Sequence, residues 1–232
     1  MPDQYKHILF DLDHTLWDFE KNAAETLREL YDSFQLATLG NFGVEEFCQT
    51  FHKVNYHLWY LHQKGEFDQA MLRAERFKMI FTELGVAQAS MPLRIAEAYL
   101  RLCPSKPHVF PYTHDILQYL GGRYDLHIIT NGFADVQWVK LESAGLKGYF
   151  KHIVTSDDAG FRKPDPGIFR HTLEKIGTAP ANCIMVGDNL DTDIAGARAV
   201  GIDCVFFNPG QIPHKSITNH EISCLSELSE IL

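Results

Sequence analysis

The residues of this chain that could do chemistry stand at the ends of short apolar runs. The first run leads into Phe10-Asp11-Leu12-Asp13-His14-Thr15, where two carboxylates stand two residues apart. Along an extended segment such residues point to the same side, so Asp11 and Asp13 place two like charges together at the end of a buried strand. Something positive has to compensate them. Later runs end in Thr130-Asn131-Gly132, in Lys163 of "FRKPDP", and in "VGDNLDTDIAGA", which supplies Asp188, Asn189, Asp191 and Asp193. In open α/β sheets ligands bind beyond the carboxyl ends of the strands, where all of these residues fall.

The elements that must position them read as follows. His7–Phe10, Leu126–Thr130, His152–Thr155, Cys183–Val186 and Cys204–Phe207 are apolar runs of strand length, as expected for strands buried on both faces. Between them lie helical patterns closed by glycine, Val136–Ala144 before Gly145 and Pro166–Ile176 before Gly177. The alternation predicts an α/β fold with a parallel sheet of βαβ units. The stretch from Trp17 to about Pro92 contains helical patterns only. Val44, Phe47, Phe51, Val54, Leu58 and Leu61 recur at steps of three and four, as do Ala23, Leu27, Leu30 and Phe34, and then Ala70, Ala74, Phe77, Phe81 and Leu84. The expected organisation is a catalytic core of residues 1–16 and 93–232, interrupted by an all-α domain of residues 17–92.

Composition bounds the partners. The 232 residues include 21 Lys plus Arg against 30 Asp plus Glu, and no basic run stands out, so nucleic-acid polymers are not expected. No segment approaches the roughly 20 apolar residues that span a bilayer, and the N-terminus lacks a secretory pattern, so no membrane partner is expected. Five cysteines at wide spacing, with no C-x-x-C pair, suit a reducing compartment. The cytoplasm is the expected location.

In their order along the chain, the strand-end residues resemble the four motifs of the haloacid dehalogenase superfamily. D-x-D-x-T is Asp11 to Thr15, the strand-closing Thr is Thr130, the Lys followed by Pro is Lys163, and G-D-x(3 or 4)-D runs from Gly187 to Asp193. The resemblance covers the whole α/β portion and implies a Rossmann-like three-layer core with a helical cap domain. It implies that Asp11 is the nucleophile of a phospho-aspartyl pathway and that Asp13 is the acid and base. Mg²⁺ would be held by Asp11, Asp188 and the main-chain carbonyl of Asp13. Thr130, the backbone near Asn131, and Lys163 would bind phosphate, and Asn189 with Asp193 would orient metal-bound water.

The chemistry accounts for these residue types. A phosphate ester and an attacking carboxylate are both negative, and two unit charges about 4 Å apart interact by roughly 4 kcal/mol at an effective dielectric of 20. A hard cation with oxygen ligands and a lysine ammonium offset that repulsion. Dehalogenases of the superfamily lack an acid two residues after the nucleophile, so Asp13 favours an ester with a leaving alcohol.

Two segments, "DLDHTLWDFEKNA" and "VNYHLWYLHQKGEF", resemble the pyrimidine nucleoside monophosphate phosphatases of the superfamily. A weaker resemblance is to phosphatases of acylated sugar-acid phosphates. Trp17 and Phe19, which begin the insert beside the nucleophile, are candidates to stack on a base, a contact worth about 1–3 kcal/mol in single-stranded nucleic-acid complexes. Tyr56, Trp59 and Tyr60 are expected to pack between helices, and Lys64 to Phe67 to form a specificity loop or a simple helix break. His52, His57 and His62, spaced by five, are expected on a solvated surface. The expected activity is Mg²⁺-dependent hydrolysis of a small phosphorylated metabolite, a nucleoside 5'-monophosphate with pyrimidines favoured, by a monomer or weak homodimer. Sugar phosphates, acylated sugar-acid phosphates, phosphomutase chemistry and dehalogenation are the alternatives.

Overall fold

The computed structural model describes residues 4–232, which form two compact units, residues 4–19 with 107–232 and Glu20–Lys106. In chain order the elements are β1 (His7–Phe10), α1 (Phe19–Ser33), α2 (Val44–Gln63), α3 (Gln69–Glu83), α4 (Ile95–Leu102) and α5 (Thr113–Gly121). Next come β2 (Asp125–Thr130), α6 (Ala134–Ser143), β3 (His152–Thr155), α7 (Ser156–Ala159) and α8 (Pro166–Ile176). After β4 (Cys183–Gly187), a π-helical turn at Leu190–Ile194 runs into α9 (Ala195–Ala199), then β5 (Asp203–Phe207), β6 (His220–Ile222) and α10 (Leu228–Ile231).

The first unit is built on one all-parallel sheet of order β3-β2-β1-β4-β5-β6, a Rossmann-like arrangement. Five strands lie where the apolar runs place them. The sixth, β6, has three residues at the sheet edge, of which only Ile222 is buried, and so carries no readable pattern. Phe10 is paired with Ile128 on one side and Val186 on the other, so β1 stops two residues short of the end of β2 and one short of the end of β4, and Asp11 emerges between its neighbours.

Alternate residues face opposite sides of the sheet. On one side Leu9, Ile129, Met185 and Phe206 pack with Ile168 and Phe169 of α8, each large side chain contributing about 1.5–3 kcal/mol of burial. The sequence sets the ends of α8. Asp165 accepts a bond from the Gly167 N–H at 2.7 Å, Pro166 opens the first turn, and Gly177 closes the helix at φ 69°.

At the other end of the sheet, His7, His127 and His152 stand side by side on β1, β2 and β3. His7 Nδ1 and His127 Nε2 share a proton across 3.2 Å, and the His127 and His152 rings stack with centroids 5.4 Å apart. His127 is buried and its Nδ1 has no partner. Burial first, then the adjacent His7 and His152, pushes its pKa down to about 4. The unfolded chain therefore takes up a proton near pH 6.5 that the folded chain refuses until about pH 4, and stability falls as pH falls through that interval. Wild type should lose up to about 3 kcal/mol more unfolding free energy than His127→Leu between pH 7.5 and 4, read by denaturant titration. Parallel curves for the two proteins would contradict this.

The second unit is all helical. Ring pairs Phe47–Phe81 and Phe51–Phe77, both 6.1 Å apart, set α2 and α3 antiparallel. Tyr99 of α4 packs on Phe51 at 5.0 Å and Phe77 at 5.6 Å. The helix Ile95–Leu102, expected within the α/β core, thus belongs to the helical unit, whose ends fall at Glu20 and Lys106.

Three expectations on α2 are corrected. Tyr56 is 78% exposed and Tyr60 is also on the surface, with the Lys64 ammonium 4.5 Å from its ring centre, so neither packs between helices. Trp59 is half-buried, edge-on to His62. His62 is buried rather than solvated, because its Nδ1–H donates to the Phe67 carbonyl at 2.7 Å and ties down the Lys64 to Phe67 loop, where Gly65 turns at φ 76°. Among the described residues all five cysteines are free, and no helix is long and apolar enough to cross a membrane.

Candidate active site

The site begins where β1 stops. The Asp11 N–H donates to the Val186 carbonyl at 2.9 Å, the last ladder bond, and the chain then folds back on itself. Leu16 and Trp17 N–H groups both donate to the Leu12 carbonyl, at 3.0 and 2.8 Å, with His14 at φ 64°. This turn delivers the Thr15 hydroxyl to Asp188 Oδ1 at 3.1 Å and within 3.4 Å of Asp11 Oδ2. Thr15 thereby ties the acid at the end of β1 to the acid at the end of β4.

Lys163 is the only ammonium at this cluster among the described residues. It is buried, and its Nζ donates to Asp11 Oδ1 at 2.5 Å, Asp193 Oδ1 at 2.6 Å and the Ile129 carbonyl at 2.9 Å. Asn131 positions it, since the Lys163 N–H donates to Asn131 Oδ1 at 2.7 Å and Asn131 Nδ2 donates to the Lys163 carbonyl at 2.9 Å. The Asn131 side chain is thus occupied in holding a lysine. Asn189 is likewise a positioning group. Its Oδ1 caps the π-helical turn by accepting from the Asp191 and Thr192 N–H groups, and its own N–H donates to Asp193 Oδ2 at 3.1 Å. Gly187 leaves room for that carboxylate, because a Cβ there would lie 2.4 Å from Asp193 Oδ2.

The electrostatics leave the cluster negative. Oxygens of Asp11, Asp188 and Asp193 lie within 4.8 Å of one another, facing a single ammonium. Burial pushes Asp11 up to about 7 despite Lys163, with Asp193 adding to the rise. Burial also raises Asp188 well above the usual carboxylate range, helped by Asp11 and Asp193. Lys163 is desolvated too, but its two carboxylate partners hold its pKa above the ordinary value. When all three carboxylates are ionised, they exceed the one ammonium by two negative charges, and their hard oxygen donors fit a divalent cation such as Mg²⁺. The side chain of Asp13 is not part of this group.

Asp13 is held separately by α6. Lys140 Nζ donates to its Oδ1 at 2.6 Å and Gln137 Nε2 to its Oδ2 at 2.8 Å. Burial favours the neutral acid, but the Lys140 charge and these hydrogen bonds hold its pKa below the usual carboxylate range. Gln137 Nε2 also reaches Thr130 Oγ1 at 2.7 Å, and the same oxygen accepts from the Gly132 N–H at 3.0 Å. The Thr130 hydroxyl proton is what remains for a ligand. A side chain at position 132 would strike Gln137, its Cβ 1.9 Å from Nε2. Sequence reasoning missed Gln137 and Lys140. Their only signal is a polar pair three residues apart, one turn after Thr130-Asn131-Gly132, which reads like an ordinary solvated face.

Trp17 is corrected as a base-stacking candidate. It is fully buried, with the Lys140 ammonium 4.5 Å from its ring centre, and so serves as a floor beneath the lysine that holds Asp13. Phe19 is half-buried, 4.8 Å from the His14 ring.

A parallel sheet whose central strand hands a carboxylate to a lysine, with further acids at the end of the next strand, defines a class of α/β enzymes with an acid-lined site. More narrowly, the chain belongs to the haloacid dehalogenase-like hydrolases, whose family model matches residues 5–201. It is 29% identical to the pyrimidine 5'-nucleotidase YjjG of Escherichia coli (strain K12), over 97% of this chain and 96% of that one. Identity to the pyrimidine 5'-nucleotidase PynA of Streptococcus pneumoniae is 30%, over 88% and 84% of the two chains. The HAD-hydrolase YfnB of Bacillus subtilis, solved bound to magnesium, is 28% identical, with a TM-score of 0.87 and 99% of each chain covered.

Proposed function

We propose that this chain is a Mg²⁺-dependent phosphomonoesterase that works through a phospho-aspartyl intermediate on Asp11 and prefers nucleoside 5'-monophosphates, pyrimidines first. The observation that carries the reading is the pair of differently held acids. Asp11 sits in the carboxylate cluster against Lys163, while Asp13, two residues on, is gripped by Lys140 and Gln137. Bound Mg²⁺, held by Asp11, Asp188 and the Asp13 main-chain carbonyl, would supply positive charge to the phosphoryl oxygens.

The chain's own groups do the rest. An Asp11 oxygen attacks phosphorus as the bond to the leaving alcohol breaks, and Asp13 gives that alkoxide a proton. Lys140 favours ionised Asp13, so the proton is acquired as the negatively charged ester enters and offsets the ammonium. In the second step ionised Asp13 takes a proton from the water that releases phosphate from Asp11. Lys163, and Thr130 through its hydroxyl proton, bind phosphoryl oxygens. Asp193 and Asn189 keep Lys163 and the acid loop in place.

The nucleotide preference is supported by the two nucleotidase relatives. Phosphate release with and without Mg²⁺ should be measured on uridylate, deoxyuridylate, thymidylate, purine monophosphates and sugar phosphates. Faster turnover of the pyrimidines is expected. Turnover confined to sugar phosphates would keep the mechanism and replace the substrate.

A further inference from the structure

Gln137 of α6 is fully buried, yet its Oε1 has no hydrogen-bond partner among the described residues. Its other polar atom is fully used, because the two N–H groups of Nε2 go to Asp13 Oδ2 at 2.8 Å and to Thr130 Oγ1 at 2.7 Å. A buried acceptor without a donor costs stability, so the fold holds this amide for what it donates. Turning the amide over would set Oε1 against the Asp13 carboxylate, which Lys140 keeps ionised by donating to Oδ1 at 2.6 Å. Two acceptors facing each other repel. Asp13 therefore decides which way the Gln137 amide points.

The amide in turn decides what Thr130 can do. Thr130 closes β2 and is buried. Its hydroxyl has two lone pairs and one proton. The Gln137 and Gly132 N–H groups, at 2.7 and 3.0 Å, take both lone pairs, so the O–H has one direction left and is a donor only. Without the Gln137 donation one lone pair is freed and the hydroxyl becomes a rotor. Gly132 serves the same arrangement twice, since its N–H is the second donor and its missing side chain makes room for the Gln137 amide, which a Cβ would approach to 1.9 Å.

We infer that Gln137 is a positioning residue that aims the Thr130 hydroxyl proton at the phosphoryl group, with its own orientation set by Asp13. The inference rests on the phosphatase reading and deepens it. One side chain of α6 then joins the group that moves the proton to a group that grips the phosphoryl oxygens.

The test uses the full chain with Mg²⁺ and compares wild type with Gln137→Met, Gln137→Glu, Thr130→Val and the double variant Gln137→Met/Thr130→Val. Inorganic phosphate binding is read by calorimetry, KM and kcat with p-nitrophenyl phosphate, and folding by thermal unfolding. Gln137→Met should weaken phosphate binding about tenfold, the size of one hydrogen bond to a charged group. Introduced into Thr130→Val, the same substitution should change binding by less than about twofold, because no hydroxyl remains to be aimed. Gln137→Glu keeps the length of the side chain but presents an acceptor to Thr130, so the hydroxyl proton turns inward and phosphate binding falls at least as far. An equal loss in both backgrounds overturns the inference, because Gln137 would then not act through Thr130. So does wild-type phosphate binding in Gln137→Met, or in Gln137→Glu, where it would mark a side chain that only fills space. If Gln137→Met does not fold, Gln137→Glu takes its place in the same two backgrounds. Additive effects in a chain that does turn over the ester sink this inference alone. Wild type that neither turns over the ester nor binds phosphate sinks the phosphatase reading, and the inference with it.

Discussion

Asp11→Asn is expected to lower kcat by at least about 10⁴-fold on every phosphate ester, because it removes the attacking oxygen and leaves only binding groups. The variant should also be more heat-stable than wild type when both are free of Mg²⁺ near neutral pH. Asp11 has its folded-state pKa raised to about 7, so the folded chain holds a proton that the unfolded chain gives up near pH 4. Stability from that group is full at low pH and is lost as pH rises toward 7, and an amide escapes the loss. Adding Mg²⁺ should stabilise wild type more than the variant. Steady-state assays and thermal unfolding with and without Mg²⁺ check both parts. Retained turnover would remove Asp11 as nucleophile, and a lower unfolding temperature would remove the account of the charge cluster.

Lys140→Met should act on the second half of the reaction. Lys140 keeps Asp13 ionised, the form needed to take a proton from water when phospho-Asp11 is hydrolysed. Without it the Asp13 pKa rises, and the variant becomes a poorer base without becoming a poorer acid. The expected outcome is a kcat reduced about 10²-fold, a KM reduced with it, and a kcat/KM close to wild type. Rapid mixing with p-nitrophenyl phosphate should then show a burst of nitrophenolate equal to the enzyme present, as phospho-enzyme accumulates. The acidic limb of the kcat profile should move to higher pH, because ionised Asp13 is lost sooner as pH falls. A kcat/KM that falls as far as kcat, with no burst, would place Lys140 in the first step instead.

The sequence was most informative where burial is two-sided or a turn is chemically marked. β1 to β5 are dominated by buried apolar residues because both faces of the sheet are covered, and α8 announces itself with Asp165-Pro166 and Gly177. Asp11, Lys163, Asp188 and Asp193 are legible for a related reason. Charged residues at the ends of buried strands conflict with their surroundings unless they serve a ligand, and the structure brings these four together.

What stayed hidden depends on three-dimensional context. Gln137 and Lys140 look like a solvated helix face until the turn after β1 sets the Asp13 carboxylate against them. Trp17 looks available to a base until the same turn buries it under Lys140. His62 looks solvated until the carbonyl of Phe67 is found beside it, and α4 shows its allegiance only through Tyr99. Periodicity locates a face but does not say what meets it.

The position of β1 has a consequence for how the molecule is made. It is the first strand synthesised and a central one in the sheet, yet its partners begin at residues 125 and 183. At about 5–20 residues per second, a ribosome needs roughly 10 to 35 s after β1 to supply β4. Until then the segment bearing Asp11 lacks half of its ladder, while the helices of residues 20–106 have long since been synthesised. The acid cluster is therefore assembled late in the life of the nascent chain, and an interrupted product that ends before β4 would keep Lys163 but lack half of the sheet together with Asp188 and Asp193.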